Sequence, residues 1–214
     1  TGSMLKRMRA SDTGNRQTYL ESRTEEIDSE IIVRVSAILQ DVKTRRDDAV
    51  REYTQQFDGI LLDSMRVEPS DIEAAAAKAD PFFVESMKKA KANIEYYHNA
   101  QKQNGYLLQK ELGIYLGQRV LSLDSVGIYV PGGRAQYPSS VLMNAIPARI
   151  AGVKRIVMIT PPAKDGSLHP NIAAAAQIAG VDEIYKVGGA QGIAALAYGT
   201  QSIAPVDKIV RSEE

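Results

Sequence analysis

Apolar positions recur at helical spacing through the first hundred residues, and then the period changes twice. Ile31, Val35, Ile38 and Val42 stand four, three and four apart, and Val50, Tyr53 and Phe57 continue at three and four. This is the one-sided stripe of an amphipathic helix, repeated over two segments. Thr44 and Asp47 have the spacing of a capping box between them, and Gly59 supplies a stop. Ser70 with Glu73 predicts the start of an alanine-rich helix, and Asp80-Pro81 that of a longer one, with proline in its favoured first position. Along the latter, Phe83, Met87, Ala90, Ile94 and Tyr97 keep an apolar stripe, while Lys88, Lys89 and Lys91 read as a solvated face.

Residues 106–120 lose the helical period. Leu107, Leu108, Leu112, Ile114, Tyr115 and Leu116, punctuated by Gly113 and Gly117, predict short paired strands. From Val126 the pattern alternates short apolar runs with helices. Strands are predicted at 126–130, 155–160, 183–187 and 206–210, and helices at 139–151, 172–179 and from Gly188-Gly189 to Tyr198. The first of these helices starts at Ser139, contains Pro147 and stops at Gly152. Strands separated by single helices need crossover connections, which build a parallel sheet. The fold class is therefore α/β: a helical N-terminal portion and a doubly wound, mostly parallel α/β/α sheet.

The predicted organisation is a tag and tail at 1–19, a helical portion at 20–105, paired strands at 106–125, a cofactor-binding α/β layer at 126–210 and a short end at 211–214. Thr1-Gly2-Ser3 ahead of Met4 reads as a cloning scar. The last strand is followed by Arg211-Ser212-Glu213-Glu214 with no helix to cover it, the pattern of a fragment.

Composition narrows the chemistry. The 214 residues carry 26 Lys plus Arg and 26 Asp plus Glu, a zero balance that argues against a nucleic-acid partner. No apolar run reaches the ~18 residues of a membrane helix, and the basic start has no apolar segment of a signal peptide after it. A membrane partner is not expected, and the expected location is cytoplasmic. With no cysteine, there are no disulfides, thiolate ligands or cysteine nucleophiles. His98 and His169 are the only histidines, too few and too far apart for a zinc centre. His98 reads as a surface residue and His169, ahead of Pro170, as a structural one. No catalytic and no metal-ligating residue is assigned.

Candidate ligand chemistry lies at the strand ends. In open α/β sheets, ligands bind beyond the carboxyl ends of the strands, where glycines admit close approach and helix N-termini attract phosphate. Three such ends stand out: Tyr129-Val-Pro-Gly132-Gly133, Thr160-Pro161-Pro162, and Gly188-Gly189-Ala-Gln191. Tyr129 could stack on or hydrogen-bond a cofactor, and the Gln191 amide could grip a ribose or a carboxamide. The plainer alternatives are turn glycines, a core tyrosine and a helix-capping glutamine.

Those blocks carry a resemblance. Val126-Gly-Ile-Tyr-Val-Pro-Gly-Gly133, Tyr137-Pro-Ser-Ser-Val-Leu-Met-Asn-Ala-Ile-Pro-Ala148, Thr160-Pro-Pro162, Val187-Gly-Gly-Ala-Gln191 and Ala194-Ala-Leu-Ala-Tyr-Gly-Thr200 resemble histidinol dehydrogenase, as do Glu52-Tyr-Thr54 and Phe57-Asp-Gly59 upstream. The resemblance runs from about Leu20 to Val210. It implies an aldehyde-dehydrogenase-like half and an NAD- and zinc-dependent oxidoreductase of histidine biosynthesis. The family is a homodimer that takes L-histidinol to L-histidine. Tyr129 and Gln191 match its NAD-contacting tyrosine and glutamine, and Gly132, Gly133, Gly188 and Gly189 belong to the same cofactor-binding blocks.

The departures matter as much. The family's Gly-Pro-Gly-Asn after Asp-Lys-Ile-Val is replaced by Arg211-Ser-Glu-Glu214, so a third cofactor contact is missing. The zinc ligands and the Glu-His acid/base pair lie further along the family's sequence. Arg46 stands where a glycine is usual. The expectation is an NAD-binding half without turnover of its own, which associates with itself or with a separate C-terminal half. The other reading is a folding or association fragment, engineered or natural, without useful NAD affinity. An aldehyde dehydrogenase proper is a weaker third choice: its nucleophilic cysteine is missing from this chain, though it too would lie beyond residue 214.

Overall fold

The computed structural model describes residues 29–132 and 137–211, together with Gly14 and Gln17. The chain divides into two compact units, residues 1–37 and 38–214. The described part of the first is helical and includes the opening turns of α1 (Ser29–Arg45), which runs on into the second.

In the second unit, α2 (Asp47–Asp58) ends at Gly59, whose φ of 74° is the left-handed conformation a helix stop needs. The Thr44–Asp47 capping box does not form. Thr44 Oγ1 instead donates back to the Gln40 carbonyl at 2.9 Å, and the junction is turned by Arg46 at φ 57°. α3 (Pro69–Ala76) opens one residue before Ser70, because Pro69 supplies the preset φ of a first helical position. α4 (Pro81–Ala100) begins as predicted, with the Asp80 carboxylate accepting from Phe82 N at 2.8 Å and Phe83 N at 3.1 Å.

β1 (Tyr106–Glu111) and β2 (Ile114–Gln118) form an antiparallel hairpin in which Leu108 faces Leu116. Every residue of both strands is exposed. Beyond it come β3 (Ser125–Tyr129), α5 (Pro138–Ile150), β4 (Arg155–Ile159), α6 (Pro170–Ala179), β5 (Glu183–Tyr185), α7 (Gly189–Tyr198) and β6 (Lys208–Arg211). α5 starts on Pro138 rather than Ser139, for the same reason as α3. His169 caps α6 through Nδ1, which accepts from Asn171 N at 3.2 Å. Among the three lysines of α4, Lys91 is not solvated as expected: Nζ donates at 2.9 Å to the Ile178 carbonyl, where a cation suits the C-terminus of α6.

The sheet order is β5-β4-β3-β6, all parallel. The chain steps outward from β3 to β4 to β5, then returns across to pair β6 with the other side of β3. Strand alternation divides the interior into two cores. Val126, Ile128, Ile156, Met158 and Ile184 pack with α5 and α6, and with Met87, Ala90 and Ile94 of α4. Val157, Ile159 and Tyr185 pack with Ile38 and Val42 of α1, with α2 and with α7. Helices thus cover both faces, the doubly wound arrangement. Residues 65–67 close the β5 edge: Val67 N donates to Ile184 O at 2.9 Å and Lys186 N to Met65 O at 2.7 Å.

Candidate functional site

The two edges of the sheet differ in how their polar groups are satisfied. At the amino edge the network is complete. Asp207 Oδ2 takes Ser125 N at 2.8 Å and Ser125 Oγ at 2.9 Å, and Asp182 Oδ2 takes Ile156 N at 2.6 Å. Arg155 Nε bonds Glu183 Oε1 at 2.7 Å, and Tyr185 Oη donates to Glu183 Oε2 at 2.8 Å. The Arg155 guanidinium holds the Glu183 carboxyl below its ordinary value, and burial, reinforced by the Glu183 bond, pushes the Tyr185 phenol up to about 12.

The carboxyl edge is where the strand-end residues converge. Pro161, after β4, lies between Gly132, after β3, and Gly188, after β5. A Cβ on Gly132 would lie 3.1 Å from Pro161 Cβ, and one on Gly188 would collide with Cγ of the same ring. Gly188 has φ −123°, so the close approach of the proline, not the backbone conformation, requires glycine here. Gly189 is different: its φ is 60°, and a Cβ would lie 2.5 Å from Gln191 Oε1. Both glycines therefore let the entry to α7 fold tightly against the rim.

Gln191 sits in the first turn of α7 and is 1% exposed. Its Oε1 is buried without a hydrogen-bond partner. Buried polar atoms are normally satisfied, because an orphaned one costs its full desolvation. This is therefore not the helix-capping glutamine of the plainer reading. α7 also has no side-chain cap, so no side chain competes for its leading amides. Tyr129, the last residue of β3, is half-buried with its ring against the α2/α7 core. Among the described residues its hydroxyl makes no hydrogen bond. The structure thus brings Tyr129, Gln191, Gly132, Gly188 and Gly189 to one edge. Gly133 lies outside the described residues.

His98 is half-buried, bonded through Nδ1 to Gln101 Oε1 at 2.7 Å, and lines an apolar groove with Met143, Pro147 and Val210. His169 acts as a cap. Among the described residues no group of three or more His, Asp or Glu side chains could hold a metal ion. No helix described is long and apolar enough to cross a membrane. Residue-type reasoning missed Asp58, whose Oδ2 is the other buried orphan among the described residues.

The family model for histidinol dehydrogenase matches residues 21–211. The chain belongs to the histidinol dehydrogenase family. It is 53% identical over 210 residues to the histidinol dehydrogenase of Listeria innocua, covering 98% of this chain and 46% of that protein. It is 54% identical over 191 residues to that of Clostridium acetobutylicum, covering 89% and 44%. The crystal structure of histidinol dehydrogenase from Elizabethkingia anophelis superimposes with a TM-score of 0.82 at 35% identity, again covering 89% of this chain and 44% of that one. The chain spans less than half the length of these relatives. Its doubly wound half is that family's fold, and Arg46 occupies a left-handed position at which glycine would be unstrained.

Proposed function

We propose that this chain is the NAD-binding half of a histidinol dehydrogenase, serving the oxidation of L-histidinol to L-histidine in histidine biosynthesis. The observation that carries this reading is the unpartnered, buried Oε1 of Gln191 at the carboxyl edge, next to an uncapped helix N-terminus and within the same rim as Tyr129. NAD, when bound, supplies the hydride acceptor. Gln191 Oε1 accepts a hydrogen bond from a hydroxyl or carboxamide donor of the dinucleotide, and its amide NH₂ donates in turn. The leading amides of α7 would hold the pyrophosphate, and Tyr129 would offer its ring or its hydroxyl to the cofactor. Gly132 and Gly188 let Pro161 seat between the strand ends, which shapes that rim.

The role proposed for these residues is to hold the cofactor. Zinc belongs, by resemblance, to residues further along the family's sequence, and no step is assigned to it here. A general base and a substrate clamp belong there too. Turnover requires those parts of the family's sequence as well, and the working location is the cytoplasm.

The test is a calorimetric titration of NAD into the purified chain and its Gln191→Ala variant. Saturable binding by the parent, weakened about tenfold in the variant, is the expected result, because one buried hydrogen bond is worth ~1 kcal/mol or slightly more. Histidinol with NAD and zinc should give no NADH from either protein. Absence of NAD binding by the parent refutes the reading and leaves the chain a folding or association fragment.

A further inference from the structure

The second orphan has no structural reward. Asp58 is the last residue of α2, where a negative charge faces the negative end of the helix dipole. Its Oδ2 is buried with no hydrogen-bond partner, and no ion pair engages it among the described residues. Burial alone moves its carboxyl, and moves it up. Each of these features costs the fold, and none is offset within it.

Its place is the same rim. The start of α2 is tied to the end of α7: Arg46 donates to the Tyr198 and Gly199 carbonyls at 2.7 and 2.6 Å. Both helices pack into the same core on one face of the sheet. Two residues on, Ile60 Cγ2 is 3.8 Å from where Gly166 would carry a Cβ, and Gly166 belongs to the loop that follows Pro161-Pro162. The Gly166 carbonyl in turn accepts from Lys186 Nζ at 2.9 Å, just beyond β5. Asp58 is thus tied to the carboxyl ends of β4 and β5, on the α2/α7 face. Asp58 Oδ2 and Gln191 Oε1 are the two side-chain atoms buried without partners among the described residues, and the helices that carry them share one core.

We infer that Asp58 is a specificity-determining residue of this site, its carboxylate accepting from the hydroxyls of a ribose of the bound dinucleotide. The inference rests on the cofactor reading above. A carboxylate repels phosphate, so it does not serve the pyrophosphate. Two ribose hydroxyls offer adjacent donors to one carboxyl group, whereas the adenine amino group offers a single position. A carboxylate so placed also rejects a 2′-phosphorylated ribose by like charge, as acidic residues do in other dinucleotide folds.

The experiment titrates NAD, NADP and the hypoxanthine analogue of NAD into the parent chain, Asp58→Asn and Gln191→Ala, with a urea melt of each. Asp58→Asn is expected to weaken NAD several-fold and to bring the NAD-to-NADP affinity ratio down by tenfold or more. Its urea midpoint should equal or exceed the parent's, since a buried unpaired charge is removed. Parallel loss of NAD and NADP, an unchanged ratio, or an effect dependent on the adenine amino group overturns the ribose assignment. A lowered urea midpoint overturns it as well, by showing a structural role. If the parent binds NAD and only Gln191→Ala loses it, Asp58 fails while the cofactor reading stands. If the parent binds neither dinucleotide, both fall together.

Discussion

The packing of Pro161 between two glycines makes Gly188→Ala a sharp perturbation. The added methyl has no conformational cost at φ −123°, so its whole effect is steric. It would lie 3.1 Å from Pro161 Cδ and 3.2 Å from Cβ, with Cγ closer still. Carbon atoms prefer about 3.5–4.0 Å, so the ring must retreat or the α7 entry must swing out. Retreat is limited, because Gly132 stands on the β3 side of the same ring, where an added Cβ would lie only 3.1–3.3 Å from it. Proline has no rotamer into which to escape. Overpacking of this kind costs ~1–3 kcal/mol, and in a chain of this size each kcal/mol lowers the melting temperature by about 2–4 °C. The expected fall is therefore roughly 2–12 °C, with NAD affinity lost alongside. Gly132→Ala, which needs only a few tenths of an ångström, should fall by less. Urea melts of both variants, and of Gly188→Ala combined with Pro161→Ala, measure the strain. Removing the ring should recover most of the loss in the double variant. Wild-type stability for Gly188→Ala, or strict additivity with Pro161→Ala, refutes the reasoning.

Replacing Arg46 by alanine keeps the left-handed strain and removes both bonds to α7, whereas glycine removes the bonds and the strain together. Urea melts should place Arg46→Gly above Arg46→Ala by about 1 kcal/mol, with both below the parent. Glu183 has a folded pKa lowered first by Arg155, so its stabilising contribution is fully present above the unfolded value near 4.5 and is lost as pH falls through the folded one. The stability gap between the parent and Glu183→Gln should accordingly narrow below pH 4.5 in pH-dependent denaturation. The exposed hairpin, with Leu107 at 70% and Leu112 at 96% exposure, should drive self-association, so light scattering should give a mass above the monomer. Leu107→Lys with Leu116→Lys should shift that mass down; a monomeric parent at high concentration refutes it.

Much of this fold was legible because period and punctuation agree. The β3, β4 and β5 runs are short and apolar, each followed by a Gly or Pro, and they are buried almost throughout because helices cover both faces of the sheet. Helix starts were read less well wherever a proline stood beside a serine. Pro69 and Pro138 took the first helical position from Ser70 and Ser139, because a preset φ needs no partner while a hydroxyl cap does. Lys91 looked solvated because its acceptor, the Ile178 carbonyl, lies 87 residues away in sequence. The candidate site divides along the same line. Gly188-Gly189-Ala-Gln191 is local, and its strand-to-helix context marks a rim. Asp58 closes a polar helix and looks like any surface acid; only the approach of Ile60, two residues on, to the loop after β4 ties it to the sheet edge.

The contrast between the two sheet edges gives this assignment its physical basis. At the amino edge Asp207, Asp182 and the Arg155–Glu183–Tyr185 group satisfy strand starts and one another. The carboxyl edge differs: it carries a proline packed between two glycines, a helix without a side-chain cap and the unsatisfied Gln191 Oε1, to which the inference above adds Asp58. Marginal stability of ~5–15 kcal/mol leaves little room for such costs unless they are recovered on binding. A ligand with hydrogen-bond donors for Gln191 and Asp58 and negative charge for the α7 amides recovers them all at once. A dinucleotide joins those properties in one molecule: ribose hydroxyls and amides flank its pyrophosphate. A simple anion would meet only the helix terminus and would leave both acceptors bare.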